Sequence, residues 1–352
     1  MSEQVIKRLG EGTFGVVEEV VYNGERVARK TYNRVLCPSA IREVTALQSI
    51  SHPNIIRLRH VDFTISHTIS YLELADNSLC EYMTKSTTLG TIAQMIHGVL
   101  CALQVLHSRD LVHGDVTPFN ILVVQGVAKL ADFGTFQRSR TGARTTNIPW
   151  SAPEYLLQEH HSPATDIWAI GVILYSWIRA EDLWSWNISE DMLLDKQIDL
   201  CGCPTTGLLR EYMLPRHRSQ PDRKVQPMEH SCYSILSTAD KYHWEELIRG
   251  CLSIEPAYRW TANQALASPL FTNYTCPIPV WHIPPIPRTI KEIYSLIIKE
   301  VEVTVIQKEV GQFLAEVLYG LTPSTPVDPR PTLVVLRDTT SINLFRPSNN
   351  MI

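Results

Sequence analysis

Three polar side chains set close together in the middle of the chain constrain it most. Asp115 stands in His113-Gly114-Asp115, Asn120 follows five residues later, and Asp132 opens Asp132-Phe133-Gly134. Mg²⁺ takes hard oxygen ligands and uses one or two carboxylates together with substrate phosphates. Asn120 and Asp132 supply an amide and a carboxylate of that kind. Asp115 is then left to orient an attacking hydroxyl and accept its proton. A fold that holds this set must bring three separate loop positions to one point.

The upstream sequence supplies the means of holding a nucleotide. Gly10-Glu11-Gly12-Thr13-Phe14-Gly15-Val16-Val17 fits G-x-G-x-x-G-x-V. Val5, Ile6 and Leu9 precede it, and Val16, Val17, Val20 and Val21 follow. The segment therefore reads as strand, turn and strand, with glycines that let backbone approach phosphate. A dinucleotide-binding loop would need a helix after the glycines. Val27-Ala28-Arg29-Lys30 comes next. Alternation along a strand points Ala28 and Lys30 to the same face. Ala28 leaves space for a base, and Lys30 reaches the α- and β-phosphates. Glu43 is its candidate partner, at the edge of the helical stripe Ile41, Val44, Leu47 and Ile50.

Downstream, Ala152-Pro153-Glu154 closes the segment opened by Asp132, Asp166-Ile167-Trp168 begins a very apolar helix, and Arg259 is spaced to pair with Glu154. In this order the motifs resemble the eukaryotic-type protein kinases, from about Val5 to Phe271. The resemblance implies an α+β, two-lobed fold. A small antiparallel sheet with one helix (1–75, with the hinge) would precede a mainly helical lobe (76–271). ATP and Mg²⁺ would sit between them. Val17, Ala28 and Leu122 would sandwich the adenine, Glu73 to Ala75 would form the hinge, and Leu72 would lie at the back of the pocket. Asp115 would be the catalytic base, Lys30 the phosphate clamp held by Glu43, and Asn120 and Asp132 the metal ligands. Protein Ser/Thr hydroxyls would be the acceptors. The alternative is a pseudokinase scaffold, against which stands the presence of all five residues of the polar set.

The chain has 352 residues, 44% of them hydrophobic, enough for a sizeable core. The net charge of −4 gives no sign of bulk nucleic-acid binding. The apolar run Trp168–Ile178 is too short to span a bilayer. Eight cysteines, with no leader-like start, predict a reducing intracellular setting, in cytoplasm or nucleus. Cys201-Gly202-Cys203 and His230-Ser231-Cys232 lack the usual zinc spacing and read as ordinary thiols. Between Arg179 and Lys241 the pattern is irregular. It contains an expected helix from Ser189 to Leu200, a basic stretch around Arg216–Lys224, and a likeness to cyclin-dependent-type kinases before Cys201. Residues 272–352 form an extension. Pro277 to Pro287 predict an extended linker, apolar spacing predicts a helix over 290–318, and the remainder reads as poorly ordered. That helix would pack on the large lobe, bind a partner, or join a second copy.

Two departures from the family pattern matter. Gly114 replaces the Arg that pairs with a phosphorylated activation segment, so phosphorylation of Thr141, Thr145 or Thr146 is not expected to be the on-switch. Thr117 replaces the Lys that steadies the γ-phosphate. This pair of losses resembles kinases encoded by herpesviruses and related large DNA viruses. Pro118 matches the Ser/Thr pattern, whereas Trp150 is commoner among tyrosine kinases. Asn147 stands where Ser/Thr kinases place a Thr that bonds the catalytic Asp, and its amide is expected to make that contact.

Overall fold

The computed structural model describes residues 3–12, 15–33, 37–63, 67–83, 87–139, 147–158, 160–179, 182–202, 210 and 238–276, with two short strands at 305–306 and 334–335. The chain begins with three antiparallel strands, β1 (Gln4–Gly12), β2 (Gly15–Tyr22) and β3 (Glu25–Tyr32). Helix α1 (Pro38–Ser49), β4 (Leu58–Phe63) and β5 (Thr68–Glu73) complete the small lobe. The sheet order is β1-β2-β3-β5-β4. Gly15 is required where β2 crosses β3, because a Cβ there would collide with the carbonyl oxygen of Thr31.

Register decides what faces the cleft. Val17 lies opposite Lys30, and Ala28 opposite Leu72. Val20, Val27 and Tyr71 pack together on the other face of the sheet. Pro38 at the first turn starts α1, and the expected stripe Ile41, Val44, Leu47 and Ile50 is buried throughout. Glu43 is carried inside with it.

The large lobe opens with β6 (Asn77–Ser78), α2 (Leu79–Met83) and α3 (Leu89–His107), followed by β7 (Leu111–Val112), β8 (Ile121–Val124), β9 (Val127–Leu130) and β10 (Gln137–Arg138). The helices α4 (Pro153–Gln158), α5 (Pro163–Arg179), α6 (Glu190–Cys201) and α7 (Thr238–Cys251) follow. A short α8 (Ala262–Leu266) and a 3-10 turn at Pro269–Phe271 end the lobe. Side chains set the helix starts. Thr88 accepts from the Thr91 N–H and Ser189 from the Met192 N–H, and Thr261 forms a capping box with Gln264. Helix α3 is long and apolar enough to cross a membrane, but 72% of its apolar window is buried within the lobe. With α5, whose Ile167, Trp168, Ile170, Ile173 and Leu174 are fully buried, it forms the core. One apolar cluster continues from Ala28 and Leu72 through α3 and α5 to Phe271, so the two lobes share a core.

The fold is thus the α+β, two-lobed one expected. The helix expected at Ser189–Leu200 is α6. Arg216–Lys224, Cys203, His230 and Cys232 lie outside the described residues, as does most of the helix expected at 290–318. Within that span Val305–Ile306 is extended and pairs antiparallel with Val334–Val335. Cys37, Cys80, Cys201 and Cys251 are free thiols, whereas Cys101 and Cys276 are bonded to each other.

A buried ion pair ties α4 to the end of the lobe. Arg259 donates to Glu154 Oε1 at 2.6 Å and Oε2 at 2.9 Å, to Ala164 O at 2.8 Å and to Ser253 O at 3.0 Å. Its guanidinium lies over the Trp168 ring at 4.9 Å. Removing one partner strands the other charge in the interior. Arg259→Leu should therefore cost about 3–5 kcal/mol. Replacing Glu154 by Leu as well should recover part of that loss, read from urea midpoints of the single and double variants.

Candidate active site

Lys30, on β3, is buried between carboxylates from two other elements. Its Nζ donates to Glu43 Oε2 at 2.7 Å and to Asp132 Oδ1 at 3.0 Å. Tyr32 Oη also donates to Glu43 Oε2. Burial alone would lower the Lys30 pKa, but the Asp132 and Glu43 carboxylates reverse this and hold it well above its usual value. Burial likewise pushes Asp132 up, and the Lys30 ammonium with the Gly134 N–H outweighs it, leaving the carboxyl ionised and below its usual range. Asp132 Oδ1 accepts from Lys30 and Gly134. Its Oδ2 has no hydrogen-bond partner among the described residues.

Asp132 sits in the left-handed region, with φ of 57°. Such backbone in a non-glycine residue is strained and persists only where neighbours enforce it. Phe133 is fully buried and meets His113 edge-on at 4.8 Å, while Arg42 of α1 donates to Gly134 O at 2.9 Å. Arg42 is a contributor that the sequence reading did not single out.

The loop from His113 to Asn120 is fixed from below by Asp166, at the start of α5. One carboxylate oxygen accepts from the His113 N–H and His107 Nε2, and the other from the Gly114 N–H, all at 2.9 Å. His113 Nδ1 accepts from the Asp115 N–H at 3.3 Å, which leaves Nε2 to donate to Ala131 O at 3.0 Å. Asp115 is thus half-buried at the tip of a rigid loop. Asn120 Nδ2 donates to its Oδ2 at 2.8 Å and to its backbone oxygen at 2.9 Å. Asn147 Nδ2 donates to both carboxylate oxygens at 2.9 Å, which is the contact expected of it.

Thr117, which stands where the family pattern has a Lys, turns its hydroxyl toward the loop itself. It is buried, and its Oγ1 and backbone oxygen both accept from the Asn120 N–H, at 3.2 and 3.1 Å. The hydroxyl holds Asn120 in place. Gly114 has φ of 79°, and a Cβ there would lie 3.2 Å from Thr135 O. Glycine therefore removes strain as well as a cation.

Val17 and Leu122 pack against the apolar cluster that contains Ala28 and Leu72, and those two lie opposite each other on β3 and β5. The Glu73 side chain accepts from Lys129 and from the Arg57 N–H, each at 2.8 Å, and its own N–H donates to Arg57 O. Ala75 follows it between β5 and β6. Gly10 lies opposite Val17, and Gly12 opposite Gly15. Thr13 and Phe14 lie outside the described residues, as do Thr141, Thr145 and Thr146.

A further feature was invisible in the linear sequence. Phe119, Trp150 and Trp186 stand 5.2–5.8 Å apart, edge to face, with Phe119 and Trp186 largely exposed. They make an aromatic surface next to Asn120 and four residues from Asp115.

The chain matches the family model described as "Protein kinase domain" over residues 4–271. It is 32% identical over 286 residues to cell division control protein 2 homolog 3 of Trypanosoma brucei brucei, covering 75% of this chain and 90% of that protein. Homolog 2 from the same organism is 28% identical over 286 residues, covering 76% and 81%. Cyclin-dependent kinase F-3 of Oryza sativa subsp. japonica is 30% identical over 285 residues, covering 76% of this chain and 64% of that protein.

Two outcomes follow from the geometry. Gly114→Ala should lower stability by about 1–2 kcal/mol, the cost of a side chain in left-handed backbone, measured by urea denaturation. Because the Asp132 pKa is lowered on folding, its pairing contributes stability above the ordinary carboxylate pKa and loses it as pH falls through the lower folded value. Asp132→Asn should therefore flatten the fall in the urea midpoint below about pH 4.

Proposed function

The chain belongs to the protein kinase domain family, and from that premise we propose that it transfers the γ-phosphoryl group of ATP to Ser or Thr hydroxyls of protein substrates. The observation that carries this reading is the Lys30 ammonium held between Glu43 and Asp132 while Asp115 and Asn120 stand hydrogen-bonded beside them. Every group of the polar set is present and engaged, which weighs against a scaffold without chemistry.

Val17, Ala28, Leu72 and Leu122 offer the adenine an apolar slot, and the backbone from Glu73 to Ala75 offers it polar contacts. Lys30 places a permanent positive charge toward the phosphates. The donor set fits Mg²⁺: Asp132 is ionised with one oxygen unpartnered, and Asn120, which spends its NH₂ on Asp115, keeps its amide oxygen. When bound, Mg²⁺ would neutralise charge on the β- and γ-phosphates. Asp115 orients the acceptor hydroxyl and takes its proton, with its carboxylate aimed by Asn120 and Asn147. Thr117 itself brings no charge to this position. Stabilisation of the transferring group then falls on Lys30 and the metal.

The name of the Oryza sativa relative, cyclin-dependent kinase F-3, supports a kinase of the cyclin-dependent type, and Pro118 supports Ser/Thr acceptors. The likeness to kinases of herpesviruses and related large DNA viruses is carried by Gly114 and Thr117. The free thiols at Cys37, Cys80, Cys201 and Cys251 favour an intracellular setting, and the Cys101–Cys276 bond weighs against it. The aromatic surface at Phe119, Trp150 and Trp186 favours a polypeptide substrate with apolar side chains near the acceptor.

Labelled ATP and a protein substrate test the proposal. Lys30→Met and Asp132→Asn should each lower the transfer rate by at least about 100-fold, or roughly 2.7 kcal/mol, with circular dichroism unchanged. Transfer at the natural rate by both variants would refute the assignment. Trp186→Ala should raise KM for the protein substrate several-fold and leave KM for ATP alone.

A further inference from the structure

Helix α3 carries His97 and Cys101 one turn apart, and so on one face. That face lies beneath the last residues of the lobe. The chain returns over it after the turn at Pro269–Phe271. Tyr274 Oη donates to Gly90 O at 3.1 Å, and Cys276 then meets Cys101, with Cα atoms 6.1 Å apart and the sulfurs bonded. The His97 ring touches both sulfurs, 3.6 Å from Cys276 Sγ and 3.8–3.9 Å from Cys101 Sγ. Phe271 and Tyr274 hold the ring, at centroid distances of 5.3 and 5.5 Å. His97 is 7% and Cys101 1% exposed, while Cys276 is open to solvent.

This arrangement has the parts of a thiol oxidation site. One sulfur is accessible, a second is buried behind it, and an imidazole stands within reach of both. We propose that Cys276 and Cys101 are a peroxide-responsive pair served by His97, and that their oxidation pins residues 272–276 to α3. In the reduced chain the Cys276 thiol passes its proton to His97, and the thiolate attacks a hydroperoxide. An S–O bond forms, the O–O bond breaks, and the leaving oxygen departs as water with the proton from His97. Cys101 then attacks the sulfenic sulfur. The S–S bond forms, the S–O bond breaks, and a second water leaves. Two thiols and one hydrogen peroxide give one disulfide and two waters. A small thiol such as glutathione reverses the bond by exchange and is itself oxidised. Burial lowers the His97 pKa and so weakens it as a base, and its role rests on its place within 3.6–3.9 Å of both sulfurs.

The bond joins positions 175 residues apart. It closes a loop around most of the large lobe. Closing so long a loop restricts the unfolded chain strongly. The oxidised protein should melt roughly 5 °C or more above the reduced one.

The test uses the full chain, reduced and then treated with stoichiometric hydrogen peroxide, followed by alkylation and non-reducing peptide mapping. The expected product is a cross-linked pair of peptides holding Cys101 and Cys276, released by glutathione. Cys276→Ser, at an exposed position, should abolish both the cross-link and the rise in melting temperature. His97→Gln should slow cross-linking about tenfold with circular dichroism unchanged. Full alkylation of Cys101 and Cys276 after peroxide would overturn the proposal, as would cross-linking of His97→Gln at the natural rate. So would a reduced chain that purifies with one equivalent of zinc, loses it in Cys276→Ser and resists peroxide, because the three groups would then be a metal site.

Discussion

The site depends on one buried cation. Lys30 comes from the small lobe's sheet, Glu43 from its helix, and Asp132 from the loop after β9 in the large lobe. An isolated ammonium in this position would cost several kcal/mol in lost hydration. Two carboxylates offset that cost, and they do so only when sheet, helix and loop are all in register. Electrostatics therefore selects the relative placement of these elements, and the apolar cluster shared by the lobes makes the placement stable. Arg42 adds a link from α1 to Gly134, so the helix that carries Glu43 cannot withdraw without breaking its contacts to Lys30, Tyr32 and Gly134.

The second rigid unit is built on Asp166. One carboxylate accepts two backbone N–H groups and a histidine, and so sets the path of the loop that bears Asp115. Gly114 and Thr117 look like losses when they are read only as a missing Arg and a missing Lys. In the structure each has a positive role. Gly114 occupies left-handed backbone without strain, and Thr117 fixes Asn120 through its hydroxyl. Asn147 engages Asp115 directly. The loop that bears Asp115 is thus held by Asp166, Asn120 and Asn147, all of the large lobe.

Much of this was legible in the sequence because it is encoded locally. The glycine pattern, Val27–Lys30, His113–Asn120 and Asp132–Gly134 each fix one short piece of backbone, and strand alternation predicts that Ala28 and Lys30 share a face. The apolar stripe of α1 places Glu43 correctly for the same reason. Contacts between distant segments were not legible. Phe119, Trp150 and Trp186 come from three loops, and no periodicity relates them. Cys101 and Cys276 are joined only because the chain returns across α3 after Phe271. The bond from the Asn120 N–H to the Thr117 hydroxyl was not legible either, because residue type alone does not state which N–H a hydroxyl meets.

The central claim is that this polar set works as assembled, without a phosphate on the segment between Asp132 and Ala152. The most direct measurement compares steady-state phosphorylation of a protein substrate by the natural chain before and after exhaustive phosphatase treatment, with Asp115→Asn as the zero. The account predicts that the dephosphorylated chain keeps most of its rate and that Asp115→Asn has almost none. A treated chain that falls to the level of Asp115→Asn, and recovers on rephosphorylation, would contradict it.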